Sequence, residues 1–138
     1  MKGGMVKGGD LRYKVSMEKG GGTMRGKTFL GNAFSLGMLP VNATEIKLRV
    51  KIITLEDVKK LTENGFESCI GHESTASILT ELLGKEVRMN RIPITLEKGD
   101  IIIVFQIIGR LEEGKILTRN EIEKLNYRFY LVEIEETE

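Results

Sequence analysis

The chain has 138 residues, 41% apolar and 30% charged, a globular composition with enough material for one ordinary domain and too little for two. A formal charge of +1 argues against a bulk polyanion coat, so duplex DNA is not an expected partner. No apolar run approaches the ~18–20 residues that span a bilayer, and the Gly- and Lys-rich start lacks a signal-peptide core. The expectation is therefore no membrane partner and a cytoplasmic location.

Residues 1–26 hold half of the 16 glycines, and Lys and Arg there outnumber Asp10 and Glu18. Glycine loses much entropy on ordering and offers little to bury, which predicts a flexible basic arm with at most a short strand at Leu11–Met17. The plain reading is an upstream start or a linker remnant; the sharper one is an arm that strengthens binding of an anionic ligand. The domain proper is 27–138. Thr28–Phe34 is short and apolar and reads as a strand. Glu45–Ile53 alternates, with Ile46, Leu48, Val50 and Ile52 on one face, and reads as a second. Thr54 with Asp57 opens a helix over Leu55–Asn64, stopped by Gly65. Ser74–Leu83 is a helix ending at Gly84, with Ile78, Leu79, Leu82 and Leu83 as its buried stripe. Val87–Leu96 is predicted as a strand begun or interrupted near Pro93, and Lys98-Gly99-Asp100 as a turn. Ile101–Ile108 is continuously apolar, the pattern of a central strand covered on both faces. Thr118 and Glu121 form a capping box for a helix to about Leu125, and Tyr127–Glu135 closes the chain as a strand. Interleaved strands and helices predict a single α/β domain, a mixed β-sheet covered by helices.

The inventory of reactive side chains is sparse. Cys69 is the only cysteine, so no internal disulfide or thiolate-rich zinc site can form. His72 is the only histidine, which excludes a multi-histidine metal site within one chain. Three Asp against 17 Glu leave little for paired-Asp magnesium sites. No metal and no cofactor are therefore expected. No G-x-x-x-x-G-K-[ST] phosphate loop is present. Cys69 lacks a second histidine to activate it and reads as a small buried group.

Four segments can carry chemistry. Ile70-Gly71-His72-Glu73-Ser74-Thr75 puts a glycine, an imidazole and two hydroxyls at the start of a helix, where free N–H groups and a partial positive charge suit a phosphate. A histidine at that edge can donate a proton near neutral pH. The plain alternative is that Ser74 or Thr75 caps the helix and His72 is an ordinary loop residue. Arg110-Leu111-Glu112-Glu113-Gly114-Lys115 follows the most buried strand, where a guanidinium can grip a phosphate and a carboxylate can position an imidazole; a charged loop with local ion pairs is the alternative. Asn32-Ala33-Phe34-Ser35 offers an amide and a hydroxyl at a strand end, or caps the next turn. Asn90-Arg91 reaches toward the same end, or makes a surface ion pair. Gln106, the only glutamine, lies within an apolar strand and needs a partner for its amide.

Taken in order, Leu30-x-Asn32-Ala33-Phe34-Ser35-x-x-Met38-Leu39, Ile70-Gly71-His72-x-Ser74-Thr75, Asn90-Arg91 and Arg110-Leu111-Glu112-Glu113-Gly114-Lys115-Ile116-Leu117-Thr118 resemble the viral type III anti-CRISPR ring nucleases and their cellular relatives. The similarity runs from about Thr28 to the C-terminus. It implies a homodimeric α/β protein that binds cyclic tetra-adenylate, the second messenger of type III CRISPR defence, and cuts it to linear di-adenylates. By match of motif it implies His72 as the catalytic histidine, Glu113 as the carboxylate assisting it and Arg110 as a phosphate-gripping catalytic residue. Arg91 is implied as a second phosphate contact, with Asn32, Ser35, Ser74, Thr75 and Gln106 lining the ligand site.

The implied reaction suits these residue types. The 2′-hydroxyl of a ribonucleotide attacks the adjacent phosphorus without a metal if the phosphate is held in line. The protein then has to stabilise charge on the phosphate, a task for Arg110, and to protonate the departing 5′-oxygen, a task for His72. A two-fold dimer would set one His72 at each of two opposite phosphates of a four-membered ring. Two other readings stay open: a binding protein that sequesters the ring uncut, and a nucleic-acid-binding protein acting through the basic arm.

Overall fold

The computed structural model of the chain describes residues 26–109 and 116–138. Except for Gly26, the expected basic arm lies outside the described residues, and so does the segment carrying Arg110 and Glu113. The elements in order are β1 (Thr28–Gly31), a 3-10 turn (Leu36–Met38), β2 (Ile46–Ile53), α1 (Leu55–Leu61), β3 (Glu67–Ser68), α2 (Glu73–Leu83), β4 (Ile101–Ile107), α3 (Arg119–Glu123) and β5 (Tyr127–Thr137). The five strands form one mixed sheet in the order β2-β5-β4-β1-β3. β1 runs parallel to β3 and β4, while β5 runs antiparallel to β4 and β2.

The β-branched run of β4 sits at the centre of the sheet, with Ile102, Ile103, Val104 and Phe105 all buried. Both predicted capping boxes form. Thr54 Oγ1 accepts from Asp57 N at 3.1 Å, and Thr118 Oγ1 from Glu121 N at 3.2 Å, with the carboxylates returning to the cap N–H groups. α2 ends at Gly84 in the left-handed conformation, φ 73°, where a side chain would be strained.

The two faces of the sheet are covered differently. Leu30, Ile103, Phe105, Phe129 and Leu131 pack with Val58 of α1, Ala76, Ile78, Leu79 and Leu83 of α2 and Ile122 of α3. On the other face Phe29, Ile102, Val104, Val132 and Ile134 are met by Leu96, Ile94, Phe34, Met38 and Leu39, which come from loops and the 3-10 turn. The apolar side of β2 belongs to this second face, since Leu48 pairs with Ile134, Val50 with Val132 and Ile52 with Tyr130. The loops stop short of it: Leu48, Val50 and Ile52 are 36%, 58% and 64% exposed.

Two sequence expectations need correction, and one element was not expected at all. Val87–Leu96 is not a strand. It is an extended crossing with a single bridge, Met89 to Ile70, and Pro93 has no N–H to extend a ladder. Its partner instead is the 3-10 turn, where Leu96 N donates to Met38 O at 2.7 Å. β1 ends at Gly31 rather than Phe34, because Asn32 turns to bond the loop before α2. A Cβ at Gly31 would lie 2.9 Å from Cys69 Sγ, so a larger residue there would have to displace that thiol. The two-residue β3 carries no apolar run and was not legible in the sequence.

Candidate functional site

The parallel part of the sheet creates the site. From β1 the chain reaches β3 on one side, then passes through α2 to β4 on the other side. A crevice outside the carboxyl ends of strands at such a reversal is where open α/β sheets hold ligands. Here a cavity of about 810 Å³ occupies that position. Asn32 enters its wall from the end of β1, Gly71–Thr75 from the start of α2, Arg91 from the extended crossing, and Phe105–Ile107 from the end of β4.

His72 is the N-cap of α2, with φ −134° and ψ 136°, and its imidazole makes no capping bond. Its carbonyl accepts the first helical bond, from Ala76 N at 3.1 Å. Ser74 and Thr75 are the second and third helical residues, so neither is the cap; their amides belong to the first turn, which has no carbonyl acceptors of its own within the helix. The imidazole is exposed at the cavity, and the helix turn behind it is anchored by buried Thr75 and Ala76.

The backbone entering this cap is held from outside the helix. Gly71 N donates to Asn32 Oδ1 at 2.9 Å, and Gly71 O accepts from Arg91 Nε at 3.2 Å and Nη2 at 2.7 Å. Just upstream, Asn90 N donates to Ile70 O and Asn90 Nδ2 to Ser68 O, both at 2.8 Å. Asn90 thus serves the loop rather than the cavity.

Of the residues singled out in the sequence, the structure brings Asn32, His72, Ser74, Thr75, Arg91 and Gln106 to one cavity. Ser35 is not on its wall; it caps the 3-10 turn, its carbonyl accepting Met38 N at 3.0 Å. Gln106 is exposed at the end of β4, opposite Arg128, so its amide meets solvent and the expected cost of burial does not arise. Arg110 and Glu113 lie outside the described residues, but their flanks, Gly109 and Ile116, are both on the cavity wall. Met89, Phe105 and Ile107 complete the wall and carried no sequence signal, being ordinary apolar positions.

Cys69 sits behind this loop, half-buried. Burial, with the Glu67 carboxylate adding to it, pushes its thiol from 9.0 up to about 11, which leaves almost no thiolate nucleophile at neutral pH. Among the described residues no three His, Cys, Asp or Glu side chains gather as a metal site, and no helix is long and apolar enough to cross a membrane.

The protein is thus a single small α/β domain with a five-stranded mixed sheet and a cleft at the carboxyl ends of its parallel strands. Residues 28–129 match the STIV B116-like family, and the chain belongs to it. In fold it is similar to B116 of Sulfolobus turreted icosahedral virus, with a TM-score of 0.66 and 32% identity over 78% of this chain and 99% of that one. In sequence it is 38% identical over 108 residues to "Uncharacterized protein 26" of Sulfolobus islandicus filamentous virus, covering 77% of this chain and 90% of that protein. It is also 39% identical over 83 residues to YddF of Bacillus subtilis, 58% of this chain and 77% of that protein, so similar sequences are not confined to archaeal viruses.

Proposed function

We propose that this protein is a metal-independent ring nuclease that binds cyclic tetra-adenylate and cleaves it to linear di-adenylates, antagonising type III CRISPR signalling. The observation that carries the reading is the position of the only histidine. His72 stands free at the N-terminus of α2, on the wall of a cavity that also holds Asn32, Ser74, Thr75, Arg91 and Gln106. Free amides and hydroxyls of a helix start suit a phosphate, and an exposed imidazole beside them suits a proton donor. Gly109 and Ile116, which flank the sequence segment containing Arg110 and Glu113, both line this wall.

In this mechanism the 2′-oxygen attacks the adjacent phosphorus as its proton is lost to solvent. The phosphorus–5′-oxygen bond breaks, and His72 protonates the departing oxygen. Arg110 balances charge on the phosphate, and Glu113 assists His72. The immediate product carries a 2′,3′-cyclic phosphate. Pairing of two copies belongs to the reading, because two histidines then face opposite phosphates of one ring. The uncovered stripe of Leu48, Val50 and Ile52 provides apolar area of the kind such pairing buries.

Incubation with labelled cyclic tetra-adenylate in EDTA, followed by chromatography, tests the reading; di-adenylates are expected. Loss of all cleavage on chelation refutes the mechanism. A ring that binds tightly and is recovered intact favours sequestration instead. His72→Ala is expected to keep binding and to lower cleavage by about 100- to 10,000-fold, the usual contribution of general acid catalysis.

A further inference from the structure

We infer that Asn32 and Arg91 serve the site as positioning residues, acting through the two peptides that flank Gly71 to aim His72. The catalytic half of this inference rests on the ring nuclease reading; the structural half does not.

The argument begins at the backbone. Gly71 joins the bridged residue Ile70 to the N-cap His72. The peptide before Gly71 is held through its N–H by Asn32 Oδ1, and the peptide after it, which contains the nitrogen of His72, is held through its carbonyl by two donors of Arg91. Both peptide planes flanking Gly71 are therefore fixed, from two chain segments that belong to neither the loop nor α2. Downstream the bond from Ala76 N fixes the carbonyl of His72. The imidazole itself has no capping bond, so the backbone beneath it sets the origin and direction of its Cα–Cβ bond.

The chemistry of the two holders fits this role. A guanidinium that places two N–H groups on one carbonyl makes a charge-assisted contact with defined geometry, and a lysine at the same point would give up the fork. Nε and one Nη2 proton are committed to the Gly71 carbonyl, which uses the side fork of the guanidinium and leaves its Nη1 end outside this contact. Asn32 commits its carbonyl oxygen to the Gly71 amide, a bond in which its Nδ2 donors take no part. An imidazole misplaced by about 1 Å can cost about 100-fold in rate, so such a brace has a measurable consequence.

The test uses the full chain with Arg91→Ala, Arg91→Lys and Asn32→Ala, and two kinds of readout. The first needs no substrate. Backbone amide exchange and the His72 ring signals are followed by NMR without ligand. Asn32→Ala is expected to speed exchange of the Gly71 amide by about 10-fold or more, consistent with loss of a side-chain bond to a charged or amide partner. Both Arg91 variants are expected to shift or split the His72 ring signals. Unchanged Gly71 exchange together with unchanged His72 signals overturns the brace, whether or not the protein cuts any nucleotide. The second readout is cyclic tetra-adenylate itself. Single-turnover cleavage is expected to fall about 100-fold in Arg91→Ala and nearly as far in Arg91→Lys. Affinity measured in a His72→Ala background should change by less than about 3-fold. Because both residues hold peptides that flank the same glycine, the effect of the double variant should be less than the product of the two single effects. A loss of affinity that Lys restores, with the cleavage rate retained, overturns the inference and makes Arg91 a ligand contact. An intact ring with the wild-type protein, alongside the expected NMR changes, defeats the ring nuclease reading and leaves the brace standing.

Discussion

On one face of the sheet, Leu30, Ile103, Phe105, Phe129 and Leu131 are closed over by three helices; on the other, Phe29, Ile102, Val104, Val132 and Ile134 lie beneath loop side chains. The helices reach as far as Ile53 at the end of β2, whereas the loops leave Leu48, Val50 and Ile52 open. A helix presents a wide stripe of long side chains, and α2 alone buries five residues. An extended crossing such as 87–96 offers fewer inward side chains per unit length, here Ile94 and Leu96. The helix-covered face therefore holds more of the buried apolar side chains. The loop-covered face is the one left with apolar surface for another molecule.

The largest test of this contrast is Phe129→Ala. Phe129 is buried and packs at 5.2 Å from the Phe105 ring centroid and 5.6 Å from that of Tyr127. Its truncation should cost about 3–5 kcal/mol in denaturant unfolding. Leu96→Ala, equally buried but under loops that can collapse into the space, should cost about 2–3 kcal/mol, toward the lower end for such changes. A larger loss for Leu96→Ala than for Phe129→Ala would invert the proposed division. Removing a helix cap on the covered face, Thr54→Ala or Thr118→Ala, should cost about 1 kcal/mol each.

A smaller effect follows from Cys69. Its thiol is raised by burial from 9.0 to about 11, so between these values the folded chain keeps a proton that the unfolded chain has released. Stability should therefore fall as pH rises through that window and be insensitive to this group below it. Cys69→Ala should flatten that slope in thermal melts, and an unchanged slope would assign it to other groups. The smallest expected change in the stability of a single chain is Ile52→Ser, within about 0.5 kcal/mol, as for exposed positions generally. Sedimentation of the same variant sharpens the comparison. If the open stripe joins two copies, Ile52→Ser shifts the distribution toward the single chain.

Much of the fold was legible because local rules and tertiary packing agree. The apolar run of β4, the two capping boxes and the glycine after α2 each carry their own signal, and each forms. Val87–Leu96 misled because alternation and β-branched residues also describe a crossing that pairs only once. The candidate site was legible as residue types, since His72, Ser74 and Thr75 stand together in the sequence. The roles of Asn32 and Arg91 were not. Gly71 is 39 residues from Asn32 and 20 from Arg91, and no periodicity links an amide or a guanidinium to a distant peptide.

By itself, the sequence determined that this chain makes one mixed α/β domain with a single imidazole at a helix start, because periodicity and capping act over a few residues. Only the tertiary structure decided which apolar face of β2 stays open, which strand ends converge on one cavity, and which backbone atoms Asn32 and Arg91 hold. Those outcomes depend on contacts between segments far apart in the chain, whose register is set by how the strands order in the sheet.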